Sequence, residues 1–65
     1  MDIKTDMVVG IVYEKPEGMY PLEIAEAVSK RFQIQATTRQ VERIVRNNPK
    51  LFVEKDFKIY SPEIP

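Results

Sequence analysis

Between Thr37 and Lys50 the chain reads TTRQVERIVRNNPK, and the side chains in it best suited to chemistry are the three arginines, Arg39, Arg43 and Arg46. A guanidinium is a planar, permanently charged fork of donors, which matches a phosphate or the edge of a guanine with two hydrogen bonds at once. The spacing places all three together if the stretch is helical. With Thr38 at 0° and about 100° per residue, they fall at about 100°, 140° and 80°. Val41, Ile44 and Val45 fall at about 300°, 240° and 340°, an apolar stripe on the opposite side. Glu42 flanks the arginines at about 40° and Asn47 at about 180°. Such a helix buries one side and presents three cations on the other. A face shaped for solubility alone more often alternates signs at i, i+4, as the preceding segment does with Glu23, Glu26 and Lys30. Lys50, Lys55 and Lys58 carry the positive charge onward, diluted by Glu54 and Asp56.

Other chemistries find little material. The chain has no cysteine and no histidine, which removes disulfides, thiolate metal sites and the commonest general base. No nucleophile–base pair and no glycine-rich phosphate loop are present. The carboxylates are scattered, and a chain of this size has few places to hide a pair from water. An enzyme is therefore not expected, and neither a cofactor nor a metal is expected. At 65 residues with 43% hydrophobic residues, the chain suits one small globular domain, expected over 2–61, with an extended tail over 62–65. Ten Lys and Arg balance ten Asp and Glu, so the net charge is zero and any nucleic-acid role must come from local placement. No apolar run spans a bilayer, and the start MDIKTD lacks the pattern of a secretion signal. An intracellular protein, cytoplasmic or at the nucleoid or nucleus, without membrane contact is the expectation.

The elements that must position the arginines can be read in order. IKTDMVVGIVYEK is expected to be a helix, with Asp2 or Thr5 as its cap and Ile3, Met7 and Ile11 at spacing four beside Val8 and Val12. VVGIVY has strand propensity, but caps and length favour helix. Val9 and Tyr13 fall outside its main stripe and are either cover for the small core or a self-association face. KPEG is a turn, and MY a very short extended piece. PLEIAEAVSKRF is a second helix opened by Pro21, with Ile24, Ala25, Val28 and Phe32 on one side. QIQA is a tight connection with Ile34 turned inward. TTRQ is a capping box, and the third helix must stop before Pro49. LFVEK and FKIYS are two short strands with KD as the turn between them. The expected core is Ile3, Met7, Ile11, Val12, Leu22, Ile24, Ala25, Val28, Phe32, Ile34, Val41, Ile44, Val45, Leu51, Phe52 and Ile59. Hairpin register decides whether Phe57 or Tyr60 joins it. Truncating Ile44 or Phe32 to Ala is expected to cost on the order of 2–5 kcal/mol.

This order, with YPLEIAEAVSKRF as a positioning helix, QIQA as the turn, TTRQVERIVRNN as the third helix and LFVEKDFKIYS as a wing, resembles the winged helix-turn-helix domain. NPKLF, with Tyr60 eight residues after Phe52, is similar to winged domains of the forkhead and HARE type. The resemblance implies an α+β fold, a three-helix core with a C-terminal two-strand hairpin. It implies a DNA-binding module, serving transcription or another DNA transaction, whose third helix lies in the major groove and whose wing meets the backbone or the minor groove. Carried onto this sequence, it makes Arg39, Arg43 and Asn47 base-edge candidates, Thr38, Arg46 and Lys50 phosphate contacts, and Lys55 and Lys58 wing contacts. Two features depart from the pattern. The wing is short, without a glycine-rich or arginine-bearing tip, and the second helix begins with Glu23 and Glu26. Winged helices also serve as protein-docking modules, for which Glu23, Glu26, Val9 and Tyr13 would form the surface of interest.

Overall fold

Three helices and an antiparallel two-strand hairpin follow one another in the computed structural model, which describes residues 3–62. The helices are α1 (Thr5–Val12), α2 (Pro21–Phe32) and α3 (Thr38–Asn47), and the strands are β1 (Val53–Lys55) and β2 (Lys58–Tyr60). This α+β order is the expected one and is compatible with a winged-helix topology. Among the described residues no helix is long and apolar enough to cross a membrane.

α1 is shorter than its apolar pattern suggests. Pro16 disfavours helical backbone at Lys15, and the chain tightens before it. The N–H groups of Glu14 and Lys15 reach back only three residues, to Ile11 O at 3.4 Å and Val12 O at 3.0 Å. The N-cap is Lys4, in extended conformation and without a side-chain cap bond, so Thr5 is the first helical residue rather than the cap. The other candidate cap, Asp2, lies outside the described residues, as does the tail beyond Pro62.

Pro21 opens α2 as expected, and the Glu23 carboxylate accepts from the Tyr20 N–H at 2.9 Å. The helix ends on Gln33, which adopts the left-handed conformation at φ +54°. The link to α3 is held by Ser29. Its hydroxyl donates to Ala25 O at 2.8 Å and accepts from the Ala36 N–H at 3.0 Å, stapling the turn to α2. α3 starts with the capping box read from the sequence. Gln40 N–H donates to Thr37 Oγ1 at 3.2 Å, and Thr37 N–H donates to Gln40 Oε1 at 3.0 Å. At the other end Asn48 Nδ2 donates to Ile44 O at 2.7 Å, satisfying a carbonyl that the stop before Pro49 leaves open.

The core sits where the three helices meet the hairpin. Val8, Ile11 and Val12 of α1, Ile24, Ala25 and Val28 of α2, and Val41 and Val45 of α3 are buried, with Ile3, Met19, Phe52 and Ile59. Met7, Ile34 and Ile44 pack against this cluster, half-buried. Three expected core residues are not in it. Leu22 is 59% exposed because it stands about 160° around α2 from Ile24. Phe32 is the last residue of α2 and stays 38% exposed. Leu51 lies outside because its neighbour Phe52 takes the inward direction. Ile24, fully buried, is thus the α2 side chain whose truncation costs about 2–5 kcal/mol, rather than Phe32. On α1 the stripe runs through Val8 rather than Met7.

The hairpin is a two-strand sheet with one further bridge on its open edge. Val53 pairs with Tyr60, Glu54 with Ile59 and Lys55 with Lys58. Met19 bridges to the other edge of β2, exchanging hydrogen bonds with Ile59 at 2.9 and 2.7 Å. The extended piece read at MY is therefore a strand stub. The turn is Asp56–Phe57, one residue later than KD, and Ile59 faces inward opposite Glu54. Both turn residues have positive φ, +53° and +68°, the backbone of a type I′ turn. Asp tolerates it, whereas a bulky residue there costs roughly 1–2 kcal/mol. Neither Phe57 nor Tyr60 enters the core. Phe57 is exposed, and Tyr60 lays its ring against Gly18.

Candidate nucleic-acid interface

The capping box and the Val41, Val45 stripe set the rotation of α3, and that rotation turns Arg39, Arg43 and Arg46 outward. All three are exposed, and with Glu42 and Asn47 they line one shallow groove along the helix. None of the three has a hydrogen-bond or ion-pair partner among the described residues. Arg31 differs: its two Nη atoms donate to the Glu14 carboxylate at 2.8 and 3.0 Å, tying α2 to the end of α1. The Arg31 hydrogen bonds hold the Glu14 carboxyl below the usual glutamate range, and Glu14 in turn raises Arg31.

Helix electrostatics do not account for the arginine face. Arg46 in the last turn of α3 suits the negative end of the helix dipole, but Arg39 stands in the first turn, where a cation is disfavoured. Three like charges on one face repel one another as well.

The other expected site residues are divided. Asn47 shares the arginine groove. Thr38 does not: it is half-buried and lines a separate groove between α2 and α3, with Leu22, Glu26 and Lys30. Lys50 is exposed just past α3. Lys55 and Lys58 stand directly opposite one another on the hairpin, and the Lys58 ammonium lies 5.3 Å from the centre of the Tyr20 ring. They share the outer face of the hairpin, because Ile59 takes the inner one. α3 and the hairpin meet at a notch lined by Glu42, Arg46, Pro49 and Glu54. Two carboxylates border that notch beside the single cation of Arg46, whereas the arginine groove sets three cations against Glu42 alone.

Val9 and Tyr13 are employed within the domain. Val9 packs half-buried against the core, and the Tyr13 hydroxyl donates to Leu51 O at 2.9 Å. The interest of Tyr20, Glu54 and Phe57 was not visible from residue types. Knowing that Met19 pairs with Ile59 would have placed Tyr20 beside Lys58. Compared with protein-family models, with curated proteins and with solved structures, the chain finds no match.

Proposed function

We propose that this domain binds double-stranded DNA as a winged-helix module, with α3 in the major groove, and serves transcription or another DNA transaction. The observation that carries the reading is the groove of Arg39, Arg43 and Arg46, unpartnered among the described residues of a chain with no net charge. In this reading Arg39, Arg43 and Asn47 meet base edges, while Arg46, Lys50 and Thr38 hold phosphates and Lys55 and Lys58 add contacts from the hairpin. Chemical-shift mapping by NMR tests it. Adding a random-sequence duplex is expected to move the amides of Arg39, Arg43, Arg46 and Asn47, and to leave those of Val8 to Val12 in place. Shifts that spare α3 would contradict it.

One observation favours protein docking instead. Leu22 is 59% exposed in the groove between α2 and α3, close to Glu26. A partner seated there would move Leu22, Glu23 and Glu26 and leave the arginines untouched.

A further inference from the structure

Two observations meet at the hairpin tip. Phe57 is 82% exposed and sits at φ +68°, in the turn position where backbone sterics favour glycine. Neither packing nor turn geometry explains a phenyl ring there. Beside it, Lys55 and Lys58 face each other across the strands, a like-charge pair that weakens a hairpin by itself. The ring thus lies in sequence between two cations, with the carboxylates of Glu54 and Asp56 as the local counter-charges. An apolar ring between cations is complementary to stacked bases between phosphates.

We infer that Phe57 is a wedge: its ring enters a groove of duplex DNA and partly unstacks one base step, while Lys55 and Lys58 meet the flanking phosphates. The inference rests on the duplex-binding reading above. Apolar side chains that unstack base steps enter from the minor groove. The domain's longest extent, 34 Å, is comparable to one duplex turn of about 34–36 Å. The notch shared by Arg46 and Glu54 shows that α3 and β1 adjoin.

The test uses a short duplex carrying 2-aminopurine at flexible TA steps, whose fluorescence rises on unstacking. Native protein is expected to bind and raise the signal. Phe57→Gly is expected to lose the rise and to bind roughly tenfold more weakly, with a melting temperature that holds or increases because glycine is at ease at positive φ. Phe57→Trp keeps a ring and is expected to keep both. If Phe57→Gly binds and unstacks like the native chain, the wedge is overturned and the ring belongs to a protein contact. If the native chain binds through its arginines without any rise, the wedge alone is overturned. If it binds no duplex at all, the reading beneath it falls too.

Discussion

The Tyr60 ring occupies the space that a side chain on residue 18 would need: a Cβ built on Gly18 would lie 2.5 Å from Tyr60 Cε2. Gly18 is buried in the turn before the Met19 stub and has φ +87°. Two penalties therefore fall on Gly18→Ala, the left-handed backbone at roughly 1–2 kcal/mol and the collision at roughly 1–3 kcal/mol. Urea unfolding is expected to show the sum. In a Tyr60→Ala background the collision disappears, and the same substitution is expected to cost only the backbone part. Equal costs in the two backgrounds would mean that the ring does not constrain residue 18.

Gly10 presents the opposite case. It lies inside α1, exposed, and a Cβ there meets nothing within 4 Å. Gly10→Ala is expected to stabilise the domain by about 0.5–1 kcal/mol, read as a higher melting temperature.

Ser29 holds the tight link that aims α3. Without its hydroxyl the Ala36 N–H loses its partner, so Ser29→Ala is expected to cost roughly 1–2 kcal/mol in urea unfolding. The arginine groove depends on that link, and amide shifts along α3 are expected to change with it.

The Glu14–Arg31 pair makes a pH prediction. The pair is exposed, and Arg31 lowers the carboxyl of Glu14 below its ordinary value. A carboxyl lowered on folding contributes stability above its unfolded pKa, and that contribution is lost as pH falls through the lowered folded value. NMR titration of Glu14 is expected to show a midpoint below the ordinary glutamate value in the native chain and a higher one in Arg31→Met. High salt is expected to shrink the difference, because exposed pairs are screened.

Much of this fold was legible in the residues. The T-x-x-Q box, Pro21 and the Val41, Val45 stripe are local signals, and each specified its element and its orientation. The arginine groove followed, since a helix with one buried stripe has one outer face. What stayed hidden depended on contacts distant in sequence. Met19 pairing with Ile59 placed Tyr60 on Gly18 and Tyr20 beside Lys58, and the β1–β2 register put the turn on Asp56–Phe57. Ser29 looked like a neutral helix residue until Ala36 came within reach. Leu22 was misread by type alone, although its angle on α2 already placed it outside.

The central claim is that binding belongs to the α3 face and not to positive charge in general. Duplex affinity measured at a series of salt concentrations tests it, using Arg39→Ala with Arg43→Ala beside Lys4→Ala with Lys15→Ala, exposed cations outside α3 and the hairpin. Each pair of substitutions removes the same charge. The native chain is expected to bind with a dissociation constant on the order of micromolar and a steep salt dependence. The lysine variant is expected to keep both the affinity and the slope. The arginine variant is expected to lose at least tenfold in affinity, with a slope shallower by roughly 1–2. Equal losses in the two variants, or no duplex binding by the native chain at low salt, would contradict the account.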